Sequence, residues 1–385
     1  MKQRENWGSR LGVILAVAGS AVGLGNFLRF PVKAATYGGG AFMIPYLIAI
    51  VFLAIPLAWM EWTLGRYAAI HGHGTGPGLL DKMFKKPWAK FAGSFGLFAP
   101  TFISFYYVFI QSWLLAFAWY SLNGQLLNAV QSNTITSFFG DFIMLNTKIG
   151  PIPAAIFFFV ITFLANFSVL AFGVRRGIER LNKYAMPLLL LMGVGLLIRV
   201  LTIPGIEAGL AYMWNPDFSA LTNPRVWIEA SGQVFFTLSI GIAVILCYAS
   251  YVKKDEDLVL SSLSAVGTNT FAEVILSGTI VVPLAMILYG ANIAEVAQMG
   301  TFGLGFQTMP MVFGKLPLAN LLQFVWFSML FLAGMTSTIS IQQPLITFCE
   351  DELKFKRLKS IAAVAIFTGF GAFVAIFGLA GGALS

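Results

Sequence analysis

The sequence predicts an all-α integral membrane protein whose helices cross the bilayer and, in two places, break inside it. Three observations carry that reading. The composition is apolar, stretches long enough to span a bilayer recur along the chain, and two of those stretches are interrupted by glycines and polar residues.

Of the 385 residues, 58% are hydrophobic and only 10% charged, with 37 Phe. Soluble domains carry about 25% charged residues, so a water-soluble fold is excluded. Two cysteines, Cys247 and Cys349, cannot build a disulfide framework and read as buried thiols. No cleavable leader is expected, because residues 1–10 are polar and the apolar run after them is too long for one. The net charge of +8 does not point to nucleic acid, since topology accounts for its distribution.

Apolar stretches of the ~20 residues that a bilayer requires fall near 11–35, 41–65, 90–122, 152–173, 184–203, 227–250, 258–290, 318–348 and 360–380. The connections alternate in basic content. With the N-terminus in the cytoplasm, Lys2, Arg4 and Arg10 lie inside. So do the loops carrying Lys82, Lys85, Lys86 and Lys90, then Arg175, Arg176, Arg180 and Lys183. Lys253, Lys254, Lys354, Lys356, Arg357 and Lys359 follow suit. That is the positive-inside pattern, and an odd count of spans sends the C-terminus outside.

The first interruption is "AVAGSAVGLGNFLRFP", residues 16–31. Gly costs about 1 kcal/mol relative to Ala inside a helix. Backbone freed at that depth is tolerated only where it is buried in protein or lines a polar cavity. Small residues also let helices pack closely, which explains isolated glycines. It does not explain Gly19, Ser20, Gly23, Gly25 and Asn26 followed by the intramembrane Arg29. The second interruption is "GQVFFTLSIGIAVILCYASY", residues 232–251, with Ser239 and Gly241 in mid-span. The second lies five spans after the first, an odd offset, so the second unit is inverted relative to the first. Interrupted spans at corresponding positions of two halves point to a transporter's binding site.

The segments "NWGSRLGVILAVAGSAVGLGNFLRFP", "GGGAFMIPY", "GQVFFTLSIG" and "FLAGMTSTISIQQP" closely resemble the neurotransmitter:sodium symporter family. The likeness is nearest to its bacterial, leucine-transporter-like amino-acid:sodium symporters, and it runs from Trp7 to the end of the ninth span. The resemblance implies an inverted five-helix repeat with broken helices 1 and 6. Residues 1–203 would form the first repeat and residues 204–385 the second. It further implies sodium-coupled symport of a neutral, hydrophobic α-amino acid across the cytoplasmic membrane, with no enzymatic activity. The expected partners are substrate, two sodium ions and lipid, and a homodimer is an allowed assembly.

By that resemblance the first sodium site would use Ala21, Asn26, Thr237 and Asn269. The second would use Gly19, Val22, Ala333, Thr336 and Ser337. Oxygen-only sets of this kind suit a hard cation. The substrate carboxylate would lie on the Leu24 and Gly25 amides at the start of a half-helix, with the Tyr107 hydroxyl donating to it. The Phe236 and Thr237 carbonyls and Ser239 would take the ammonium, and Ile103, Phe236, Ile242 and Ile341 would hold the side chain. Phe236 would close the outside, while Arg4 with Asp351, helped by Trp7 and Tyr251, would close the cytoplasmic side. Singly, Arg4 and Asp351 read as solvated flanking charges worth under ~1 kcal/mol.

Asn269 and Glu273 in "GTNTFAEVIL" are four apart and share a helix face. An ionisable residue in mid-span is a functional candidate. The resemblance places Tyr46, Gln233, Thr237 and Asn269 around Glu273, where chloride-dependent relatives hold an anion. A built-in carboxylate would make transport chloride-independent, taking up a proton as sodium leaves. The pair His71 and His73 lacks companions for a metal. An intramembrane enzyme would need a base near Glu61 or Glu273, and no histidine lies near either in the sequence. A proton-coupled carrier would lack the Thr336–Ser337 pair.

The family has about twelve spans, so the C-terminal helices are expected to be missing. Arg29 would then lack the acidic partner that helix ten supplies, and the outer gate would close poorly. The alternative reading is a truncated, transport-incompetent amino-acid-binding membrane protein.

Overall fold

A computed structural model describes residues 5–290 and 300–382, with side chains to residue 378. Seven of its helices are long and apolar enough to cross a membrane: Gly40–Ile70, Pro87–Leu122, Ala154–Ala171, Val174–Leu201, Leu258–Tyr289, Ala319–Asp351 and Arg357–Gly378. The pair Arg10–Ala21 and Gly25–Thr36, bent by 44°, is together long and apolar enough for an eighth. The expected sixth span is two short pieces, Pro224–Thr237 and Val244–Ala249. Each is below the ~20 residues, at 1.5 Å apiece, that a bilayer demands, so it is not among the long helices.

Sequence boundaries hold best where an apolar run ends abruptly, as at Leu122 and Leu258. They fail at the fifth span. Its helix begins at Val174, ten residues before the expected 184, and carries Arg175, Arg176 and Arg180 on its first turns rather than in a loop. Long basic side chains reach the interface from a helix end, so their charge does not mark where the helix starts. The connections also hold short helices, Gln125–Gln131, Ile135–Ile143, Glu207–Trp214 and Met309–Gly314, and a hairpin pairing Lys148–Ile149 with Ile152–Pro153. None is long enough to register as a span.

Layering follows from burial. The most apolar windows of Leu258–Tyr289 and Ala319–Asp351 are 72% buried, while those of Val174–Leu201 and Arg357–Gly378 are only 33% buried. The first two are central and the others face outward. Pro87–Leu122 packs along Ala319–Asp351, tied by a buried polar knot. There Thr338 donates to Gln111 at 2.7 Å, and Asn166 donates to the same amide oxygen at 2.8 Å. Satisfied internally, such groups are tolerated at bilayer depth. An aromatic cluster of Phe117, Phe139, Phe306 and Phe327 fills the adjoining core.

Both interruptions have a structural outcome. The first helix ends at Val22, whose backbone is extended, and Asn26 Oδ1 accepts from the freed Gly23 amide at 2.8 Å. Between the pieces of the sixth span, Ser239, Gly241 and Ala243 have φ of 55°, 82° and 62°. Left-handed backbone costs a non-glycine residue about 1–2 kcal/mol, so two of these three positions are strained. The Gly241 amide donates to Glu61 of the second span at 2.5 Å, replacing a ladder partner that the break removes.

Candidate functional site

The two breaks face one another across a cavity of about 370 Å³. At one end of it Lys33 of Gly25–Thr36 pairs with Glu229 of Pro224–Thr237 at 2.7 Å, and Tyr37 donates to Glu229 at 3.1 Å. At the other end Trp7 is buried, donating from its backbone to Tyr251 O at 3.1 Å and from its indole to Tyr248 O at 2.9 Å. Halves of spans one and six are thus joined above and below the cavity, which lies between their irregular segments.

Eight of the nine expected substrate residues line it: Gly25, Ile103, Tyr107, Phe236, Thr237, Ser239, Ile242 and Ile341. Leu24 does not, because its side chain is buried in the core. Its amide donates to the Tyr107 hydroxyl at 3.4 Å, so this hydroxyl accepts from span one. Ser20, Ala21, Asn26, Arg29, Tyr106 and Ser337 complete much of the lining. The Phe236 ring lies against Gly25, where an added Cβ would sit 2.5 Å from it, and stays 52% exposed at the mouth.

Three of the four residues expected at the first sodium site meet, and the fourth, Ala21, lines the cavity. Asn26 Nδ2 donates to Asn269 Oδ1 at 2.8 Å, and Thr237 Oγ1 reaches the same oxygen at 3.2 Å. All three side chains are buried and meet at the Asn269 oxygen, while the Asn26 oxygen caps the Gly23 amide. Those of the second site bring span eight against span one. Ser337 Oγ reaches Ser20 O at 3.4 Å, and Thr336 Oγ1 donates to Ala333 O at 3.1 Å. Val22 is buried, and Gly19 abuts Asn182, whose Oδ1 would be 2.0 Å from an added Cβ.

Glu273 is wholly buried, on a widened π-helical turn, Phe271–Gly278. It accepts from the Tyr46 hydroxyl, from Gln233 Nε2 at 2.5 Å and from Asn269 Nδ2 at 3.5 Å. Its expected neighbours are therefore assembled. A carboxylate here touches the same asparagine that Asn26 and Thr237 share, which couples its charge to that cluster.

Arg29 has no ion-pair partner among the described residues, but it has neutral ones. It is not a fully hydrated cation: it donates to Gln233 Oε1 and its guanidinium lies 4.5 Å over the Phe236 ring. Gln233 therefore bridges Arg29 to Glu273, a link that neither residue's position in the sequence discloses. Also missed were Glu61 beneath Gly241 and Glu179, whose buried carboxylate accepts from Gly8 N at 2.6 Å and Ser9 Oγ at 2.9 Å. The signal for each was an acid in an apolar or basic setting, but the partner is backbone and leaves no mark in the side-chain pattern. Of the residues expected at an inner gate, Trp7 and Tyr251 meet edge to face at 6.5 Å, and Tyr251 bonds Thr347 at 2.8 Å. Arg4 lies outside the described residues, so its pairing with Asp351 does too. His73 pairs with Glu352 at 2.7 Å, and among the described residues no cluster of metal-ligating side chains occurs.

Residues 4–136 and 127–383 match the sodium:neurotransmitter symporter family. The chain belongs to that family. It is 33% identical over 368 residues to an uncharacterized sodium-dependent transporter of Methanocaldococcus jannaschii, covering 94% of this chain and 73% of the relative. The human inactive sodium-dependent neutral amino acid transporter B(0)AT3 is 33% identical over 279 residues, 66% of this chain and 43% of that one. The crystal structure of MhsT in complex with L-phenylalanine superposes with a TM-score of 0.83 at 34% identity, covering 98% of this chain and 81% of that chain. Members of the symporter family are sodium-coupled membrane transporters and not enzymes. The expectation of missing C-terminal helices draws no support from these matches.

Proposed function

We propose that the protein carries a neutral, hydrophobic α-amino acid into the cell together with sodium, by alternating access and without chloride. One observation carries this reading: the breaks of spans one and six enclose a largely apolar cavity lined by Asn26 and Thr237, both of which converge on the buried Asn269 oxygen just behind its wall. Sodium is the cation such an uncharged oxygen set suits. The Gly25 backbone would take the substrate carboxylate, Ser239 and the Phe236 and Thr237 carbonyls the ammonium, and Ile103, Ile242 and Ile341 the side chain. A second sodium would sit where Gly19 and Val22 approach Ala333, Thr336 and Ser337. The MhsT complex with L-phenylalanine supports an amino acid of that class.

The reading counts nine crossings, with the two pieces of span six as one, and divides them into inverted repeats at residues 203 and 204. It keeps the N-terminus in the cytoplasm, on the alternation of basic residues. Glu273 supplies the negative charge that balances sodium, which removes the need for a chloride ion, and it is protonated when sodium leaves. Uptake of labelled amino acids into proteoliposomes tests the whole. Hydrophobic amino acids should accumulate under an inward sodium gradient with chloride replaced by gluconate. Equal accumulation under a potassium gradient would sink the proposal.

A further inference from the structure

A second cavity, about 1030 Å³ and so larger than the first, opens between Gly8 and Ser9 and the start of the helix Val174–Leu201. Its wall has two chemistries. Arg175, Arg176, Arg180 and Lys183 line one part, all exposed. Phe172, Tyr184 and Leu188 line the other, with Phe172 68% and Tyr184 67% exposed. The one carboxylate in the lining, Glu179, is engaged by Gly8 and Ser9. Glu5, close by, accepts from the Val174 and Arg175 amides at 3.0 and 2.9 Å and thereby caps this helix. Among the described residues none of the four cations has an ion-pair partner.

We propose that this groove binds one anionic phospholipid from the surrounding bilayer, with its headgroup on Arg176, Arg180 and Lys183 and an acyl chain along Phe172, Tyr184 and Leu188. The charge complementarity selects an anion. The exposed aromatic and aliphatic wall beside it, at the end of a membrane-spanning helix, selects an amphiphile over a soluble ion. Basic pockets between membrane helices recognise acidic headgroups by this combination. Gly8 and Ser9 form the opposite wall, so a bound lipid also contacts the segment that carries Trp7.

The test is native mass spectrometry of the purified full chain in detergent, with phosphatidylglycerol or phosphatidylcholine of identical acyl chains. Phosphatidylglycerol should be retained at least tenfold more, and inorganic phosphate should not displace it. The R176Q/R180Q/K183Q variant, altered only at exposed positions, should lose that preference, while K82Q/K85Q/K86Q should keep it. Equal retention of the two lipids, displacement by phosphate, or equal loss in the second variant would each overturn the proposal. Photo-crosslinking phosphatidylglycerol applied to the unaltered protein gives an independent reading. Adducts should map within residues 172–188, and adducts found only elsewhere would also overturn it.

Discussion

Asn269 is the residue on which most of the candidate site turns. Its Oδ1 accepts from both Asn26 and Thr237, and its Nδ2 faces Glu273. A buried amide that loses its partners costs about 1–3 kcal/mol. Thr237→Val removes one oxygen and leaves the volume, and it should raise the sodium concentration for half-maximal substrate binding by about tenfold, or ~1.4 kcal/mol. Thr336→Val should do the same through span eight. Unchanged sodium dependence in scintillation-proximity binding would show that neither hydroxyl meets the ion. Glu273→Ser separates charge from shape. It removes the carboxylate that Tyr46 and Gln233 hold, so uptake should collapse in chloride-free buffer and recover when chloride is added. Full activity of the variant without chloride would remove the charge-balancing role.

At the scale of an element, the break in span six was legible in the sequence because Ser239 and Gly241 stand where hydrocarbon and helix propensity both disfavour them. The partner that stabilises the break was not legible. Glu61 reaches the Gly241 amide from a helix about 180 residues earlier, and only the assembled tertiary structure brings the two together. The same holds for Gln233, a neutral residue that joins Arg29 to Glu273, whereas the sequence reading looked for an acidic partner of Arg29. Polar residues in apolar runs thus reveal where a site is, while their pairings depend on packing between distant spans. Two glycine substitutions test the local geometry. Gly241 has φ of 82° and open space around its Cα, so Gly241→Ala suffers backbone strain alone and should destabilise by about 1–2 kcal/mol. Gly232 is helical with equally open space, and Gly232→Ala should stabilise by up to ~1 kcal/mol. Thermal unfolding in detergent should order the variants as Gly232→Ala, unaltered protein, Gly241→Ala. The reverse order would refute the strain at position 241.

For the whole molecule, alternating access requires that one end of the cavity close while the other opens, and the fastening at the chain's beginning is the stronger candidate for a closed end. Trp7 is buried and holds Tyr248 and Tyr251 through two backbone carbonyls. The segment around it is held a second time, by Glu5 on the start of span five and by Glu179 on Gly8 and Ser9. The mouth near Phe236, by contrast, leaves that ring 52% exposed. Cys247 reports on the closed end, because it is buried in the half-helix Val244–Ala249 and touches Thr347 at 3.3 Å. In a Cys349→Ser background it is the only thiol in the chain, and a hydrophilic maleimide is expected to reach it when the segment carrying Trp7 lifts off the neighbouring Tyr248 and Tyr251. Trp7→Ala removes the indole hydrogen bond and the ring contacts at 5.2 and 6.5 Å, together worth about 2–4 kcal/mol by ordinary aromatic truncation costs. If opening precedes labelling, that range corresponds to a 30- to 1000-fold rise in rate, so an increase of at least tenfold is expected in sodium-containing buffer. Arg29→Gln, which alters only the other end, should leave the rate within twofold. Equal labelling of Cys247 in the Trp7→Ala variant and its parent would mean that this segment does not seal the cavity.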